Sequence, residues 1–70
     1  MKTVGDILMH CSGIVDEDTH IVLLRTTDSG AECVAYGRKY ATDITARYSM
    51  EAKQATYFTD ENGLAIWITH

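Results

Sequence analysis

The stretch His20-Ile21-Val22-Leu23-Leu24-Arg25-Thr26-Thr27-Asp28-Ser29-Gly30-Ala31-Glu32-Cys33-Val34-Ala35-Tyr36 decides the fold. Its first half is dense in β-branched and aliphatic residues and too short for a typical helix, so it reads as a strand. Asp28-Ser29-Gly30 then forms a turn with glycine where a positive φ is needed, and 32–36 returns antiparallel. This register pairs Leu24 with Val34 and Arg25 with Cys33.

A second hairpin is legible toward the C-terminal end, where 55–59 and 64–69 flank the turn formers Asp60-Glu61-Asn62-Gly63. Pairing Thr59 with Leu64 sends Ala55, Tyr57, Leu64, Ile66 and Ile68 to one face, and Thr56, Phe58, Ala65 and Trp67 to the other. Toward the N-terminal end, Val4, Ile7, Leu8 and Cys11 recur on one helical face, which predicts an amphipathic helix over 3–11. Thr3 is its N-cap, with Asp6 in a weaker variant of the capping box, and Gly13 is a natural stop. Gly5 costs such a helix about 1 kcal/mol relative to alanine, so it forms by docking.

Between the hairpins the signals conflict. Asp43-Ile44-Thr45-Ala46-Arg47-Tyr48 alternates weakly, whereas Met50-Glu51-Ala52-Lys53-Gln54-Ala55 has high helix propensity with Ser49 as a cap. The expectation for 38–54 is a loop with a short helical turn. The whole predicts a single α+β domain over 1–70, with the N-terminal helix packed on a four-stranded antiparallel sheet of two hairpins.

Seventy residues are about half a typical domain, which excludes a dinucleotide-binding fold or a second domain. No apolar run approaches a bilayer span, and the beginning of the chain lacks the layout of a secretory signal, so the expected location is the bacterial cytoplasm. There Cys11 and Cys33 are expected to be reduced, small core residues. The net charge of −4 falls entirely within residues 1–35. Residues 36–70 are neutral.

In chain order, Val4-Gly5-Asp6-Ile7-Leu8, Asp18-Thr19-His20-Ile21-Val22-Leu23, Tyr36-Gly37, Asp43-Ile44 and Asp60-Glu61-Asn62-Gly63-Leu64-Ala65-Ile66-Trp67-Ile68 resemble small phage- and prophage-encoded α+β proteins of Gram-positive bacteria. The resemblance implies a phage or mobile-element origin. It assigns no catalytic or binding residue.

Several chemistries are disfavoured by spacing. His10, Cys11, His20, Cys33 and His70 are zinc-ligand types, but they lack the two closely paired groups of a closed site, so no metal or other cofactor is expected. Asp16-Glu17-Asp18 and Asp60-Glu61-Asn62-Gly63 lack the calcium-loop spacing and read as turns. Ser12, Ser29 and Ser49 sit in no nucleophile-elbow context, no glycine-rich phosphate loop precedes a helix, and no enzyme is expected.

Binding is the remaining class. A short helix cannot cover both faces of the sheet, which leaves Phe58 and Trp67 either exposed as an interface or buried under 38–54. The leading expectation is a small protein-binding module, acting on a host or defence macromolecule through the Phe58 and Trp67 patch, the acidic corner of Asp16, Glu17 and Asp18, or both. A homodimer through the sheet face is the alternative. Tyr36, Arg38, Lys39, Tyr40, Arg47 and Lys53 interleave cations with aromatics as single-strand binders do, but the acidic balance of the chain disfavours nucleic acid.

Overall fold

The computed structural model describes residues 2–11 and 13–68. Thr3 caps helix α1 (Val4–His10) with both bonds of a full capping box. Its hydroxyl accepts the Asp6 N–H at 3.1 Å, and the Asp6 carboxylate accepts the Thr3 N–H at 3.1 Å. Two more free N–H groups of the first turn find neighbouring carbonyls, Val4 on Met50 and Gly5 on Tyr48, each at 2.9 Å. This contact explains the glycine: a Cβ at position 5 would stand 3.3 Å from the Tyr48 carbonyl oxygen. The backbone bonds of docking thus offset the propensity cost.

Strands β1 (His20–Thr27) and β2 (Gly30–Gly37) form the first hairpin, and Gly30 has φ 129°. The turn is tighter than expected, because Thr27 pairs with Gly30 and only 28–29 remain as the loop. Leu24 therefore faces Cys33 and Arg25 faces Glu32, replacing the expected pairs with Val34 and Cys33. A bulge leaves Val34 as the extra residue and restores the expected register at Leu23 and Ala35. Arg25 and Glu32 form an ion pair across the hairpin.

Helix α2 (Thr42–Thr45) follows, where weak alternation suggested a strand. Strand β3 (Ala52–Phe58) then takes up 52–55, which propensity assigned to a helix. The reason is tertiary: Ala52, Gln54 and Ala55 pair with Ile68, Trp67 and Ile66 of β4 (Gly63–Ile68), which would otherwise present an open apolar edge. A 3-10 turn over Thr59–Glu61 and Asn62 at φ 48° close this second hairpin. Tyr57, not Thr59, pairs with Leu64. A slip of two residues leaves every side chain on its expected face.

The sheet order is β2-β1-β4-β3, with β1 and β4 parallel, so the sheet is mixed and not purely antiparallel as expected. The second hairpin places its more apolar strand, β4, at the centre and its more polar strand, β3, at an edge, and the first places the bulky aliphatic run Ile21 to Leu24 at the centre. Both helices lie on the same side. Val4, Ile21, Leu23, Ile44 and Ile66 are completely buried there in one cluster.

At one end of the sheet, Thr19 is wholly buried. Its hydroxyl accepts the Asp16 N–H at 2.9 Å and shares its hydrogen between the Asp16 carboxylate at 3.0 Å and the Asn62 side-chain oxygen at 3.1 Å. Tyr57 donates to the same Asn62 oxygen at 2.8 Å. This network ties the start of β1 to the turn that precedes β4. No helix among the described residues is long and apolar enough to cross a membrane.

Candidate functional site

The registers that build the sheet also define its second face, which neither helix covers. Three rows cross it. The first is His20, Gly63 and Phe58; the second is Tyr36, Val22, Ala65 and Thr56; the third is Cys33, Leu24, Trp67 and Gln54. Among the described residues these rows contain no Asp, Glu, Lys or Arg, although 23% of the chain is charged. Loss of charge together with aromatic enrichment is the composition of an interface core.

The relief of this face is uneven. Gly63 and Ala65 leave a hollow of about 340 Å³, lined by His20, Val22, Leu24 and Phe58 with Glu61 at its rim. Trp67 stands two rows from Gly63, about 13 Å along the strand. Phe58 remains 49% exposed and Tyr36 73%, while Val22, Leu24 and Trp67 are half-buried. Burial under 38–54 is thereby ruled out, since α2 places Ile44 in the core on the opposite side.

Phe58 and Trp67 thus share a face as expected, at opposite ends of it. Sequence reasoning placed Ala65 with them but missed Val22 and Leu24. Their signal was the absence of alternation: Ile21 to Leu24 is an unbroken apolar run, the pattern of a strand buried on both faces.

Asp16, Glu17 and Asp18 are exposed in the turn before β1. Asp16 is committed to that turn. The Thr19 hydroxyl and then the Asp18 N–H, which donates at 2.9 Å, hold its carboxyl below the ordinary value of 3.8.

The cationic set is dispersed. Tyr36 lies on the open face, whereas Lys39 sits 5.4 Å above the Tyr40 ring. Arg47 donates to the Asp43 carbonyl at 2.7 Å, Arg38 points to solvent, and Lys53 lies beside Lys2, His10 and Cys11. No single stripe for a phosphate backbone results.

Cys33 departs from expectation: it is exposed, because the bulge turns Val34 to the core and leaves the thiol opposite Leu24 on the open face. Cys11 is half-buried at the end of α1, and both thiols are free. His10 and Cys11 lie with the helix, His20 and Cys33 at separate corners of the open face, and His70 and Ser12 outside the described residues. Among the described residues no three His, Cys, Asp or Glu side chains gather as a metal site.

A cleft of about 470 Å³ opens between α1 and 38–48, lined in part by Leu8, Met9 and Tyr40. Three of its polar groups are already engaged: Asp6 in the capping box, the Lys39 ammonium over Tyr40, and the Lys39 carbonyl by the Tyr48 hydroxyl. The open sheet face is the better candidate. Comparison of the chain with protein-family models, curated proteins and solved structures finds no match.

Proposed function

We propose that this chain is a small protein-binding module that acts through the open face of its sheet and not by catalysis. The observation that carries the reading is the three charge-free rows, which place Tyr36, Phe58 and Trp67 around Val22, Leu24 and Ala65. An uncovered aromatic and aliphatic surface gains free energy when a matching surface excludes water from it. The resemblance to phage-encoded proteins would place such binding in a bacterial cytoplasm. The acidic 16–18 turn borders the face without belonging to it.

The test is capture with a tagged chain, both from host lysate and by co-expression with a differently tagged copy. A protein held by the wild type should be lost from Thr56→Lys and Leu24→Lys, and kept by Met9→Lys on the helix side. A captured protein that survives both face substitutions but is lost with charge-neutral changes at 16–18 would move the function to the acidic turn.

A further inference from the structure

Resting on that reading of the open face, we infer that its occupant is a second copy of this chain, packed face to face about a twofold axis that runs along the middle row. The axis would lie in the interface, perpendicular to β1 and β4, above Tyr36, Val22, Ala65 and Thr56. Such an axis leaves each strand over its own counterpart and exchanges the first row with the third. Trp67 of one copy then stands over the hollow at Gly63 of the other, and the reciprocal contact follows from the symmetry. The ridge and the hollow belong to the same surface, so the surface is complementary to itself.

Three further observations favour a second copy. The chain carries a net charge of −4, so two copies repel each other least across a face whose rows hold no charged side chain, and the described rows of this face meet that condition. An indole buried at an interface needs an acceptor for its N–H, and Glu61 stands at the rim of the hollow that the indole would enter. The third is area. Four strands about 4.8 Å apart and about 20 Å long present roughly 400 Å² in projection. Two copies would bury about 800 Å² in projection, and the relief of Trp67, Phe58 and Tyr36 adds accessible area toward the roughly 1,000 Å² that a specific interface clears. The product is a four-layer sandwich, helices outside and two sheets about 10 Å apart inside.

The chain's single tryptophan is a built-in reporter. Sedimentation equilibrium across a concentration series, read alongside Trp67 emission, should give twice the 7.8 kDa chain mass by tens of micromolar, with a blue shift over the same range. Leu24→Lys should weaken association by at least about a hundredfold. Thr56→Lys is the milder variant, because Thr56 is exposed in the free chain and the axis would set the two lysines against each other. Met9→Lys should leave the dimer intact, with far-UV circular dichroism confirming the fold of each variant. A wild type that stays monomeric at several hundred micromolar overturns the second copy, and leaves the open face as a site for another protein to the capture experiment. A dimer indifferent to both Leu24→Lys and Thr56→Lys overturns the face itself as the binding surface.

Discussion

Leu23 and Leu24 are neighbours in β1 with opposite fates. Leu23 is completely buried among Ile21, Ile44 and Ile66, while Leu24 stands half-buried on the uncovered side beside Trp67. The difference runs along both central strands, since Leu64, Ile66 and Ile68 face the helices and Ala65 and Trp67 face away. The same kind of side chain is supplied to both sides, but the 17 described residues ahead of β1 and the 14 between β2 and β3 are spent on one of them only. Stability resides on the covered side. The open side holds apolar surface that folding alone leaves in contact with water.

The sharpest way to break this comparison is a matched pair of truncations. Leu23→Ala should cost about 2–5 kcal/mol in urea unfolding, because the helices hold the cavity open. Removing the cap on the covering helix is the next largest effect. Thr3→Ala gives up the Asp6 N–H bond and should cost about 1 kcal/mol by the same measurement.

Leu24→Ala, measured in dilute chain, should cost less than about 1 kcal/mol, since the side chain is only partly removed from water. Its cost should rise with protein concentration if the face closes on a second copy. Equal losses at 23 and 24 in dilute chain would mean that the two sides do not differ.

The smallest effect sharpens the end of the sheet where the two hairpins are tied together. Asp16 has its carboxyl held below 3.8 in the folded chain, so the charged form contributes stability that is fully present above 3.8 and lost as pH falls through the lowered value. Asp16→Asn keeps an acceptor for Thr19 and Asp18 but cannot titrate. The acid-side decline of the urea midpoint should therefore be shallower in the variant.

What could be read from the chain follows the range of the forces involved. The α1 cap, the two hairpins and the face of each second-hairpin residue are set by groups within a few residues of one another, and all were legible. The extent of β3 was not, because helix propensity over 50–55 is worth tenths of a kcal/mol per residue and pairing with β4 outweighs it. Nor was the parallel contact of β1 with β4, whose partners lie 43 residues apart and are selected by which strands must be sheltered at the centre. The candidate face was half legible: Phe58 and Trp67 followed from alternation, whereas Val22 and Leu24 lay hidden in an unbroken run that carries no alternation to read.

The parallel contact also sets a schedule for synthesis. β1 emerges from the ribosome early and can fold back on β2 at once, but its other edge has no neighbour until 63–68 has been made. A two-stranded hairpin is marginal by itself, and this one would carry Ile21 to Leu24 with neither side sheltered. The nascent chain thus passes through its most aggregation-prone interval while β3 is being added. Slowing translation between 37 and 63 would lengthen that interval, and losses to aggregation should rise with it.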